Sequence, residues 1–502
     1  MKLRYAIVAG ALLTTGCVTE EVKEDSGPNY VGVDGVWIWK VSMYQSVEHV
    51  LGGPGVVGPP STVPLVAGRD AIVRVFYDAD PAKIGSVVRG RLEISGYGEV
   101  TVDGTLSDLS YDHDMGTTLN FGVPGEAVKE PFEYRASIEH EGDEDDDNPL
   151  AHHPAQGRES HFVEGPQNTL RVILAPFAYH ADGSGRLPDT SPESVEKYRQ
   201  GLLAMYPVSN VEVSVRAPHD HHNAIGSDGS GWNDVGVALY QFRSQDGTPD
   251  DVYYYGIFNP NDTFDQYCQG GCQLGVTLMN DIPPDVGTVA LRMAMGVGYP
   301  EVTYETVAHE LGHSHGRLHA PCGPGLDPNS IDPAFPYDDG GIGAWGLDSV
   351  SLEIKDPTVA PGWFTTTAGP SDMMSYCVNE WVSDYTYTAL FHRGKNVNLP
   401  DMHGAALDAY RAAPLAQVDH ELIAVDGQGH ATWQPRVKKQ LLGPADSIPV
   451  NLRTADGRSL PTRGHYYRYD HLPGGWLFFP TPSEPVQRVE VTLEGRRVSV
   501  QR

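Results

Sequence analysis

The sequence predicts an α+β chain in which a mixed layer of strands and helices lies between two β-sandwich-like units. Three observations predict it. Strand-like runs with no convincing helix fill the part before Glu164, strands alternate with helices from Thr169 onward, and helical patterning fades again after about Pro414. At 502 residues the chain exceeds what one hydrophobic core organises, so several domains are expected. Its 56 Gly and 39 Pro favour turns and short strands over long helical bundles.

The elements follow in order. Lys2 and Arg4 precede a short apolar run, Tyr5 to Leu13, and then small residues leading to Cys17. The run is too short to span a bilayer as a permanent helix and reads as an export signal over residues 1–17. Leu13-Thr14-Thr15-Gly16-Cys17 resembles a bacterial lipobox, with its Leu four places before the Cys rather than three. Cys17 is therefore the expected lipidation site, which makes the protein an envelope-anchored lipoprotein or, with plain cleavage, a secreted one. Residues 18–30 are polar and acidic, as a tether should be. An N-terminal β-domain is expected over 31–165, from runs such as Val36-Trp37-Ile38-Trp39, Ala71 to Tyr77 and Arg89 to Ile94. The acidic stretch Glu141 to Asp147 lacks the ordered spacing of a calcium loop and reads as a solvated linker, so calcium has no support.

Residues 166–412 change character. Thr169 to Pro176 reads as a buried strand, and Thr190-Ser191-Pro192-Glu193 as a helix start with Thr190 capping. A strand is expected at Asn210 to Arg216, a helix from Trp232 to Arg243 and a strand from Asp251 to Phe258. The last unit, 413–502, carries strands at Val450 to Leu452, Gly475 to Phe479 and Val486 to Leu493.

A net charge of -31 argues against nucleic acid, which needs clustered Lys and Arg. If Cys17 carries lipid, Cys268, Cys272, Cys322 and Cys377 remain. An even number in an exported chain suggests two disulfides, with three pairings open, over the competing idea of zinc ligation by Cys268 and Cys272, since thiols oxidise outside the cell.

The chemistry is concentrated in His309-Glu310-Leu311-Gly312-His313-Ser314-His315-Gly316-Arg317-Leu318-His319. On a helix, His309 and His313 lie one turn apart on one face and can share a Zn²⁺. Glu310, rotated by about a third of a turn, can sit beside the metal and activate water. Gly316 tolerates the positive φ that ends a helix sharply, so the chain can double back and offer His319 as third ligand. Three ligands leave a fourth position open, which marks a catalytic site. The pattern fixes three His, one Glu and one Gly, a chance match on the order of 10⁻⁴ in such a composition. Thr303 is the expected cap of the helix, and Val307, Ala308 and Leu311 its apolar face. His315 points away from the ligand face. His152-His153 and His219-Asp220-His221-His222 lack helical ligand spacing and read as exposed loop histidines.

HExxHxxGxxH is the zinc signature of the metzincin peptidases, which this stretch resembles. Asp372-Met373-Met374-Ser375-Tyr376-Cys377 is similar to their Met-turn, with Met374 beneath the ligands and Tyr376 placed to stabilise an oxyanion. The resemblance implies a metzincin-like catalytic domain over 166–412, one catalytic Zn²⁺, and an endopeptidase acting on a protein, peptide or glycoprotein substrate. A catalytically silent surface binding protein on the same scaffold is the alternative. A helix is expected after Ser383. Cys322 follows the third His and Cys377 the Met-turn, so they are expected to pair, leaving Cys268 with Cys272. The stretch between His319 and Met374 is longer than in compact members, and its Tyr337-Asp338-Asp339-Gly340-Gly341 is expected to shape or cover a cleft.

Overall fold

The computed structural model describes residues 29–58, 61–165, 168–279, 289–363, 367–397, 418–439 and 447–502. The export segment, Cys17 and most of the tether lie outside the described residues, so the lipidation reading has no structural counterpart here.

The expected α+β class, with a metzincin-like catalytic domain between β-sandwich-like flanks, is corrected. Of the described residues 40% lie in strands and 17% in helices, and the strands form several sheets, one of them nearly a barrel. The physical reason lies in the middle of the chain. Among the described residues its helices are few and short: α1 (Pro192–Met205), α2 (Trp232–Asp246), α3 (Phe264–Tyr267), α4 (Thr303–Ser314) and α5 (Asp384–Val397). Between α4 and α5 the described residues are loop and two-residue strands, because Gly, Pro and Asp recur too often for a helix to propagate.

Two sheets near the N-terminus enclose one core. The first centres on Phe132–Glu141 and Val87–Ile94, the second on the long strand Val36–Gly52 and its neighbours Ala71–Ala79 and Leu119–Val123. Alternating inward residues such as Val73, Val75, Leu92, Phe121 and Ile138 are fully buried between them. The second sheet also takes in Gly346–Leu347, which pairs antiparallel with Ser46 and Val47. A segment that follows the histidine motif is thereby fastened to the N-terminal strands. Trp381 adds to this tie by donating from Nε1 to the Ser46 carbonyl at 3.1 Å.

A six-stranded sheet carries the site. Thr169–Tyr179 lies parallel to Asn210–Val215 on one side and Val252–Phe258 on the other. Met293–Val297 continues the parallel order, and Gly275–Thr277 closes the edge antiparallel to it. The central strands are near-continuous apolar runs, as burial on both faces requires. Helices α1 and α4 cover one face, where Val307, Ala308 and Leu311 join Tyr198, Leu202 and Tyr255 in a core. Helix α2 covers the other. Ser191, rather than Thr190, caps α1, accepting from the Ser194 amide. Val302 holds the cap position of α4, so Thr303 opens that helix rather than capping it.

The C-terminal residues form a seven-stranded antiparallel sheet from Val418–Val425 to Arg496–Gln501. Its ends approach each other, with Arg502 donating to Glu421 at 3.1 Å and stacking on Trp433. Leu422, Ala424, Trp476 and Phe478 face away from its interior and enter the core beneath α2. That packing aims the turn before Gly475 at α4.

Candidate metal centre

Helix α4 brings His309 and His313 onto one face, and a glycine turn brings back His319. Gly316 has φ of 81°, the left-handed region that a side chain would strain. There its N–H donates to the His313 carbonyl at 2.8 Å and the Arg317 N–H to the Gly312 carbonyl at 3.0 Å. These two bonds satisfy carbonyls that the helix end would leave orphaned. The returning strand is pinned at once: His319 N–H donates to the Ser330 carbonyl at 3.0 Å and Asp332 N–H to the His319 carbonyl at 2.9 Å. The long stretch after His319 thus begins by buttressing the third histidine. Tyr337, farther along it, donates to Asp384 at 2.7 Å and so is tied to the start of α5.

The three Nε2 atoms converge. His313 Nε2 lies 3.1 Å from that of His309 and 3.1 Å from that of His319. Each Nδ1 is engaged outward, His309 with the Met373 carbonyl at 2.7 Å, His313 with the Arg317 carbonyl at 2.6 Å and His319 with Ser330 Oγ at 2.9 Å. Carbonyls only accept, and the Ser330 hydroxyl already donates to the Asp327 carbonyl. All three Nδ1 atoms therefore carry the proton, and three Nε2 lone pairs face one another. Uncharged donors crowded this way repel unless a cation lies among them, which is the arrangement of a metal site with its outer hydrogen bonds in place. Burial drives the same outcome: it lowers the pKa of His309 to about 3 and of His319 to about 2, and His313 falls well below the ordinary value. Neutral imidazole is the ligating form.

Met374 lies under the floor. A Cβ added to Gly312 would lie 2.4 Å from its Sδ, so helix and turn are in close contact. Asp372, fully buried, accepts from the Met374 and Ser383 amides and shapes the turn. The turn is tied to the returning strand by Ala320 N–H to the Met374 carbonyl, Tyr376 N–H to the Cys322 carbonyl, and the Cys322–Cys377 disulfide. Cys268 and Cys272 form the second disulfide, just after α3.

Glu310 is 1% exposed and faces the edge strand. Gly275 lets that strand pass, since a Cβ there would lie 2.4 Å from Glu310 Oε1. Burial raises the Glu310 pKa to about 8.

Two residues that the sequence did not single out complete the cluster. His471, from the turn between C-terminal strands, lies with a ring nitrogen within 4.8 Å of those of His309, His313 and His319. Its Nε2 is 3.1 Å from Glu310 Oε1 and 3.0 Å from Asp470 Oδ2, and its Nδ1 meets the Tyr376 hydroxyl. Asp470 Oδ2 also lies 3.4 Å from His313 Nε2. Burial and the neighbouring Glu310 push the Asp470 carboxyl well above its ordinary range. The only signal in the sequence is the adjacent Asp-His pair before Leu472-Pro473, which has no ligand spacing of its own. This buried four-histidine cluster could hold a metal ion.

The other histidines fall elsewhere. His315 is stacked on Tyr253 at 4.6 Å and donates to the Leu311 carbonyl, away from the cluster. His152 and His221 are not exposed loop residues: both are buried on short strands, His152 between Ser137 and Asp147. Among the described residues no helix is long and apolar enough to cross a membrane.

No family model matches the chain, and no curated protein matches it. Among solved structures, one titled "Structure of a chaperone-substrate complex" is similar at 11% identity and a TM-score of 0.23, over 46% of this chain and 36% of that one. The match spans about a third of that chain's length, and at this score it carries no argument about fold or function.

Proposed function

We propose that the protein is a zinc-dependent endopeptidase of the metzincin type in its ligand set, acting on protein or peptide substrates, glycoproteins included. The observation that carries this reading is the meeting of three neutral imidazole nitrogens beside a buried glutamate. Three nitrogen donors without a thiolate suit zinc among the common divalent ions. Such an ion, when bound, polarises a carbonyl and lowers the pKa of water towards about 7. Glu310 takes the proton of the attacking water and passes it to the leaving amine. Tyr376 donates its hydroxyl to the oxyanion as the carbonyl becomes tetrahedral. His309, His313 and His319 keep their orientation through the Nδ1 bonds, and Met374 packs beneath them.

The four-histidine shell favours a second reading, a surface binding protein whose metal is structural, because structural sites are closed by protein ligands. Incubation with a peptide library separates the two. The peptidase reading expects cleavage that stops with a chelator and is lost in Glu310→Ala. Cleavage that survives both treatments would remove the mechanism.

A further inference from the structure

The edge strand beside the metal centre is already paired. Arg468 to Asp470 runs antiparallel along Thr277 to Met279: Met279 N–H donates to the Arg468 carbonyl at 2.9 Å and Asp470 N–H to the Thr277 carbonyl at 3.1 Å. Thr277 N–H donates in turn to Asp470 Oδ1 at 2.9 Å. An extended peptide adds to a sheet edge through these same main-chain groups. The segment therefore stands where a peptide would dock, and it ends on His471. That ring packs against His319, His309 and His313 with centroids 4.8, 5.1 and 5.2 Å away. Its Nδ1 meets the Tyr376 hydroxyl, and its Nε2 faces inward, 3.0 Å from Asp470 Oδ2. In this position it also engages Glu310 Oε1. A cavity of about 600 Å³, bounded by His313, His319, Met279, His471 and Leu472, lies beside the segment.

We propose that Arg468 to His471 is a built-in blocking strand, with His471 as fourth metal ligand, and that the C-terminal sheet keeps the peptidase latent until this segment is displaced. The latency rests on the peptidase reading, whereas the ligand assignment does not. The segment blocks in three ways: it covers the docking edge, fills the coordination position that a reactant needs, and holds the oxyanion donor Tyr376 through Nδ1. His471 anchors this turn to the histidine cluster, so removing its ring vacates the coordination position and loosens the strand on the edge.

The test compares the zinc-loaded full-length protein with His471→Ala by X-ray absorption at the zinc edge, alongside hydrolysis of a quenched fluorogenic peptide library. His471→Gln, which keeps the volume without the ring, serves if the alanine variant misfolds by circular dichroism. The expected result is four nitrogen donors in the parent and three plus one oxygen in the variant, with hydrolysis rising at least tenfold. A zinc shell unchanged by the substitution would overturn the proposal. Loss of one nitrogen without hydrolysis in any form would uphold the ligand and overturn the peptidase reading instead.

Discussion

Single atoms decide the chemistry at Glu310. Its carboxyl is held between the edge strand and the ligand face, and Gly275 leaves no room for a side chain opposite it. Gly275→Ala must therefore push the carboxylate away from the histidines or bend the strand. A displacement of about 1 Å at a reacting group can cost about 10²-fold in rate. Introduced into the His471→Ala protein, Gly275→Ala is expected to lower hydrolysis by about that factor while bound zinc, measured by elemental analysis, stays at the level before the change. Loss of the metal with the activity would instead mean that the substitution disrupts the ligands themselves. Glu310, His309 and His313 were legible in the sequence because helical spacing is a local rule: residues one and four apart have fixed relative positions on α4, and Gly316 marked the turn that returns His319. Asp470 and His471 were not legible, because their place depends on how a distant sheet packs.

At the scale of elements, the site is a helix, a glycine turn and a methionine turn clamped together. The Cys322–Cys377 bridge closes a loop spanning 55 residues and joins the strand after His319 to the turn beneath it. Replacing both cysteines with serine is expected to lower stability by about 2–4 kcal/mol in denaturant unfolding. The same replacement should weaken zinc retention, since His319 and Met374 share this clamp. Unfolding midpoints equal to the parent's would show that the hydrogen bonds alone hold it. Element boundaries tell a similar story about sequence reading. The strand Val486–Leu493 and helix α5 stand where the pattern placed them. The cap of α1 shifted by one residue, because Ser191 and Thr190 offer the same hydroxyl and only backbone geometry chooses between them.

On the scale of the whole molecule, three parts of the chain converge on α4. The N-terminal sheet receives Gly346–Leu347 and Trp381, the central sheet supplies the edge beside Glu310, and the C-terminal sheet delivers His471. The α+β expectation gave too much weight to the helical middle, since sheets formed by distant segments leave no periodic trace in either partner. One carboxyl at the junction ties this assembly to pH. Glu380, next to Trp381, has part of its surface exposed, but its Oε2 is buried without a partner. Burial first, and then Glu305 and Asp372, raise its pKa from 4.5 to about 8. The folded protein thus holds a proton that the unfolded chain releases. This contribution is present in full below pH 4.5 and is lost as pH rises through about 8. Glu380→Gln is expected to flatten that decline, with a melting temperature about 2–4 °C above the parent's at pH 9 and no gain at pH 4. An equal change at both values would assign the effect to packing rather than ionisation.

The central claim is that the Nε2 atoms of His309, His313 and His319 share one zinc ion. Anomalous diffraction from crystals of the native protein, recorded on either side of the zinc absorption edge, tests it most directly. A single peak bounded by those three nitrogens, present above the edge and absent below it, is the predicted result. A map with no peak there, or with zinc bound elsewhere, would contradict it.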